Sequence, residues 1–172
     1  HRKQGNRAPA TLAFKKALRS DPGHAGAWEA LGLIMLAEQR EDTAYESLTM
    51  AVVMDPQRWR AHNGLGVIAD LRKDYETART CYDSALKINP DSPAIFNNRG
   101  YSYYMTGDFN AAGSDFAMAL RLDANFSRGW LNLALLEMRQ ENYEQAYRNL
   151  SRIMDEASVF NDMGYFSMLA GK

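Results

Sequence analysis

The sequence predicts an all-α fold built from repeated antiparallel helical hairpins, and three residue registers kept in phase predict it. Ala10, Ala44, Ala78, Ala112 and Ala146 recur every 34 residues; Pro22, Pro56 and Pro90 keep the same step, as do Gly32, Gly66, Gly100 and Ala134. One hairpin of that size cannot bury its own apolar face. Its neighbours must therefore cover it, and the repeats stack into an elongated solenoid with contacts only between adjacent units.

The clearest unit runs from Asn89 to Ala124. Phe96, Gly100 and Tyr103 share one helical stripe, a Gly107-Asp108 turn follows, and Ala112, Phe116 and Ala119 share a second stripe. The same frame orders the rest of the chain as a single domain over 1–172. A partial repeat covers 1–24, with the tail of a first helix at 1–4, a turn at Gly5-Asn6 and a second helix from about Pro9 to Ser20. Complete repeats follow at 25–58, 59–92, 93–126 and 127–156, and a partial repeat covers 157–172. Asp21-Pro22, Asp55-Pro56 and Asn89-Pro90 punctuate them, because proline suits the end of one helix or the start of the next; Ser92-Pro93 reads as a cap and first helical residue.

The last step is irregular. Ala134 to Gly164 is 30 residues, about one helical turn short, and Ile153 stands where alanine is expected. Phe160, Met163 and Gly164 then restart a first helix that stops at Gly171-Lys172. Both ends fall inside a repeat, so the expectation is a piece of a longer protein.

These residues resemble the tetratricopeptide repeat, whose pattern is W-x2-L-G-x2-Y, later A-x3-F, then P. Trp28, Leu31, Gly32 and Met35 carry the first part, and Trp130, Leu133, Ala134 and Glu137 repeat it; Ala10 with Phe14, Ala78 with Tyr82, and Ala112 with Phe116 carry the second. The resemblance implies a right-handed superhelix whose concave groove binds a partner peptide or helix. The small residues would sit where the two helices of a hairpin cross closely, so Gly100→Leu is expected to overpack the crossing.

Function must come from side chains the packing leaves over. In the first helix of each repeat, positions 2, 5, 9 and 12 lie roughly 130° from the core stripe, and in the family that face lines the groove. Here it reads Glu29, Leu33 and Leu36; Arg60, Asn63, Val67 and Asp70; Asn97, Tyr101 and Tyr104; Arg128, Leu131, Leu135 and Met138; and Asn161, Tyr165 and Met168. A band of Leu, Val, Tyr and Met with interspersed amides suits peptide recognition, with apolar anchors and a few polar groups fixing register. The competing reading is that adjacent helices bury these leucines against one another. The candidate partner-binding residues are Asn63, Val67, Asn97, Tyr101, Tyr104, Arg128, Asn132, Leu135 and Tyr165. Asn63, Asn97, Asn98, Asn132 and Asn161 would form a ladder of amides able to hold an extended backbone, as in some long members of the family. Arg60 and Arg128 stand two repeats apart among Glu29, Asp70 and Asp162, which argues against a clamp for a C-terminal carboxylate.

Other classes find little support. His1, His24 and His62 form no i, i+4 metal pair, and neither a phosphate-binding glycine loop nor a nucleophile elbow occurs, so no catalytic residue, metal or cofactor is expected. His62 takes the core aromatic position of its repeat and reads as packing, as does the single cysteine, Cys81. Net charge is −1, and no basic run interleaves with aromatics, which argues against nucleic acid. The first twenty residues hold six Lys or Arg and no acid, against 14 basic and 21 acidic residues in the rest. That asymmetry suits steering toward an anionic surface or a solvated helix face. No apolar run approaches the ~20 residues needed to cross a bilayer.

A closer resemblance lies in Ser158-Val159-Phe160-Asn161-Asp162-Met163-Gly164-Tyr165 with Met168-Leu169-Ala170-Gly171, and in Phe96-Asn97-Asn98-Arg99-Gly100-Tyr101. These segments resemble repeats of bacterial Tad-type pilus assembly lipoproteins. The resemblance implies a scaffold in pilus or secretion-apparatus assembly, facing the periplasm and tied to the outer membrane through a lipid anchor that lies outside this chain. The alternative expectation is a regulatory or substrate-targeting module of a larger enzyme.

Overall fold

The structure, a computed structural model, describes residues 7–155 together with 158, 159 and 163. Among the described residues it holds nine α-helices and no strand: α1 (Arg7–Ser20), α2 (Ala25–Ala37), α3 (Glu41–Met54), α4 (Trp59–Leu71), α5 (Tyr75–Ile88), α6 (Pro93–Thr106), α7 (Phe109–Leu122), α8 (Ser127–Arg139) and α9 (Tyr143–Leu150). Packing divides the chain into two compact units, His1–Pro90 and Asp91–Lys172. The expectations placed on 1–6 and on Phe160, Gly164, Gly171 and Lys172 lie outside the described residues.

One turn motif joins the two helices of each of the four hairpins among the described residues. Gln39, Lys73, Gly107 and Glu141, spaced 34 residues apart, all adopt positive φ, at 59°, 61°, 82° and 65°. The next residue's amide then reaches back to the last turn of the helix: Arg40 to the Met35 carbonyl at 2.9 Å, Asp74 to Ala69 at 2.9 Å, Asp108 to Tyr103 at 3.0 Å, and Asn142 to Glu137 at 2.9 Å. This is the six-to-one bond of a left-handed helix stop, and it aims the chain back along the helix it has just left. The carboxylates of Asp74 and Asp108 then accept from the amides of Thr77 and Ala111, satisfying donors exposed at the start of α5 and α7.

A second motif recurs at three of the junctions between hairpins, before α2, α4 and α8. Asp21, Asp55 and Asp123 accept from the amides of Gly23, Gln57 and Asn125. The ring N–H groups of Trp28, His62 and Trp130 donate back to the carbonyls of Pro22, Pro56 and Ala124, at 2.8, 3.0 and 2.9 Å. His62 therefore does more than pack: because a carbonyl only accepts, Nε2 carries the proton and ties the start of α4 to the preceding turn.

In the first unit, Leu18, Ala27, Leu31, Met35, Ala44, Leu48, Ala51, Ala61 and Ile68 form the core. A methyl added at Gly32 would lie 2.6 Å from Leu48, and one at Gly66 would lie 2.5 Å from the Tyr82 ring, so these glycines mark real close crossings. In the second unit Gly100 meets Phe116 in the same way, at 2.8 Å. The fourth repeat ends differently. Its second helix, α9, has 8 residues where α3, α5 and α7 have 14, and buried Val159 joins Ala134, Ala146 and Leu150 in a separate small core.

Candidate partner-binding surface

In the second unit α6 lies against α8, and the sequence candidates on both helices are described. Tyr101 projects from α6 with 41% of its surface exposed. Its ring stacks on Tyr104 at 6.1 Å between centroids and 25° between planes; Tyr104 in turn meets Phe109, the first residue of α7, at 5.8 Å. Burial pushes the Tyr104 phenol above its ordinary pKa, only partly opposed by the charge of Arg139. Tyr101 is thus the outer ring of a run of three whose inner members are fixed. A tyrosine held this way offers apolar area at little entropic cost, with a hydroxyl at its tip.

On α8, Arg128, Asn132 and Leu135 fall at i, i+4 and i+7, which places them on one stripe. Arg128 is exposed and Leu135 half-buried. Asn132 donates from Nδ2 to the Asn97 Oδ1 at 2.9 Å, and Asn97 is only 3% exposed. This corrects the expected amide ladder. Asn97 is not a rung open to a peptide; it is an internal strut between α6 and α8, because position 5 turns toward the neighbouring helix.

In the first unit Asn63 and Val67 sit half-buried one turn apart on α4. Leu33 and Leu36 are packed against the core of that unit, as Leu131 and Met138 are against the last core of the second. Asp70 accepts the Tyr82 hydroxyl at 2.7 Å, so it faces α5. For these positions burial between helices prevails, and the surface is less apolar than the sequence stripe predicts. Tyr165, the remaining candidate, and Asn161 lie outside the described residues.

Two polar features escape a sequence reading. Arg99 bonds Asp115 in a bidentate ion pair, both contacts 2.8 Å, across α6 and α7, with the carboxylate largely buried. Leucine occupies the register position of Arg99 in the other repeats, at Leu31, Leu65 and Leu133, so a cation in that column was the available signal. The second is the Tyr82 phenol, fully buried against Asp70; desolvation first, and then the carboxylate, push its ionisation well above the ordinary tyrosine range. Desolvation likewise pushes the half-buried Cys81 thiol up, away from the nucleophilic thiolate. Among the described residues no group of three His, Cys, Asp or Glu is placed to hold a metal, and no helix is long and apolar enough to cross a membrane.

Comparison with known proteins gives the repeats their family. The pattern described as "Tetratricopeptide repeat" matches residues 1–57, and one described as "TPR repeat" matches 71–107. Among solved structures, PilF of Pseudomonas aeruginosa superposes with a TM-score of 0.77 at 26% identity, covering 90% of this chain and 72% of that one. MamA superposes at 0.73 with 21% identity, covering 87% and 88%. Among curated relatives, the peroxisomal targeting signal receptor of Eremothecium gossypii is 22% identical over 82% of this chain and 37% of its own length. The chain spans between 18% and 37% of the length of the curated relatives it matches first. The chain carries tetratricopeptide repeats in the fold of the solenoids that such repeats build, and domains of this kind mediate protein–protein interaction.

Proposed function

We propose that this chain of tetratricopeptide repeats is a noncatalytic scaffold that holds a segment of a partner polypeptide against α6 and α8. The observation that carries the reading is Tyr101, a large aromatic ring stacked on Tyr104, which Phe109 backs in turn, yet left 41% exposed on α6, the helix that packs against α8 with its exposed Arg128 and half-buried Leu135. Exposed aromatics and arginines are the side chains most enriched among the residues that dominate binding energy. Asn97 and Asn132 set the distance between the two helices that present them.

The finer assignment is to the assembly of a pilus or secretion apparatus in the periplasm of a bacterial envelope. Its support is the resemblance of 96–101 and 158–171 to Tad-type lipoprotein repeats, together with the likeness to PilF.

Affinity capture with the whole chain tests the scaffold reading. A Tyr101→Ala chain with unchanged thermal unfolding is expected to lose the partner that the native chain retains, by at least about tenfold in yield. Equal recovery of that partner by both chains would refute the assignment of α6.

A further inference from the structure

A cavity of about 320 Å³ opens between α3, α4 and α5, away from the residues assigned above. Its walls are Tyr45, Thr49, Leu65, Ile68, Ala69, Arg72, Asp74, Thr77 and Cys81, mostly apolar in area and within the usual size of a binding pocket. The charged groups placed at the cavity are acidic on balance: Asp74 lies in the lining, and Glu41 and Asp42 reach it through lining Arg72, which bonds both and lays its guanidinium over the Tyr45 ring.

The same unit presents the complementary shape. Leu12 on α1 is 72% exposed, and Lys15, Lys16 and Arg19 are also exposed and lie within about a third of a turn of it around the helix axis, while Phe14, Ala17 and Leu18 hold the opposite face in the core. No acid occurs in the first twenty residues. An apolar knob ringed by cations matches an apolar socket rimmed by carboxylates.

We propose that α1 of one copy of this chain docks into the α3–α4–α5 cavity of a second copy, with Leu12 in the socket and Lys15, Lys16 and Arg19 facing its acidic rim. The contact joins two different surfaces, so each copy keeps one free knob and one free socket, and association continues with concentration. Its charged rim makes it sensitive to salt, since about 1 M salt cuts the screening length to roughly 3 Å.

Cys81 lies in the socket wall and is the sole cysteine of the chain, which permits a site-specific test. A Leu12→Cys/Cys81→Ser chain is mixed with the native chain under mild oxidation. The expected product is a disulfide heterodimer forming at least about tenfold faster than either homodimer, a preference lost in 1 M salt. In parallel, light scattering on the native chain is expected to show mass rising with concentration above 19.4 kDa, and the Leu12→Glu chain is expected to stay at 19.4 kDa with an unchanged melting profile. A native chain that stays monomeric, a Leu12→Glu chain that associates equally well, or no preferred heterodimer would overturn the proposal. So would protection of Cys81 by a foreign basic helix while the chain stays monomeric, which would assign the socket to another protein.

Discussion

Replacing Gly100 by alanine and, separately, Gly113 by alanine should move stability in opposite directions. Both glycines lie inside helices, so each gains about 1 kcal/mol of helix propensity from the added methyl. Their surroundings differ. At Gly100 the new Cβ would sit 2.8 and 2.9 Å from two Phe116 ring carbons and 3.0 Å from the Asp115 Cβ, whereas relaxed carbon contacts lie near 3.5–4.0 Å. Phe116 has no exposed surface, and Asp115 is locked to Arg99, so neither neighbour can retreat cheaply. Overpacking of this kind costs about 1–3 kcal/mol and leaves a net loss of about 1 kcal/mol. At Gly113 the one close neighbour is the flexible Leu136 Cδ2, at 3.2 Å, so most of the propensity gain survives. The two variants should therefore differ by roughly 2 kcal/mol, or about 4–8 °C in Tm for a chain of this length, and Gly100→Leu should fall well below both. Thermal unfolding followed by circular dichroism measures the difference. A Gly100→Ala chain as stable as Gly113→Ala would refute the close-crossing origin of the glycine register.

Three further outcomes follow from the same structure. Asp115→Ala removes both carboxylate contacts of the Arg99 guanidinium and should cost about 1–3 kcal/mol in urea unfolding, whereas the double change Arg99→Leu/Asp115→Ser, which installs residues that other repeats carry at those positions, should recover most of it. The Tyr82 phenol ionises higher in the fold than in the unfolded chain, so its contribution is complete below about pH 9 and is lost as pH rises past the ordinary tyrosine value near 10; Tyr82→Phe should flatten that alkaline loss in a stability–pH series. Lys73→Gly and Glu141→Gly relieve left-handed backbone at φ 61° and 65° and should each raise stability by about 0.5–1 kcal/mol after the entropy of glycine is counted, as denaturant midpoints would show.

The hairpins were legible because alanine, glycine and proline occur where no other side chain serves as well: at a helix crossing, or at a boundary between helices. The exposure of Tyr101 was legible because its ring lies off the core stripe, where its own hairpin covers it only in part. The left-handed stops at Gln39, Lys73 and Glu141 were hidden, since only Gly107 among the four announces its conformation and the others share nothing but its phase. Asn97 was misplaced for a different reason. Helical phase fixes the direction of a side chain around its own axis, but not whether a neighbouring helix fills that direction, and here α8 does. The same limit hid Arg99 and Asp115, whose partnership exists only across two helices. Leu33, Leu36, Leu131 and Met138 were weighed in the sequence between groove and core, and packing decided for the core because each touches a buried cluster.

Footprinting of the bound state reaches the central claim most directly. With the captured partner in place, hydroxyl-radical labelling should fall several-fold at Tyr101 and Leu135 and stay constant at Tyr45 and Leu71, which are exposed on the first unit. Unchanged labelling of Tyr101, with protection appearing at Tyr45 instead, would show that the partner is held elsewhere and would contradict the account.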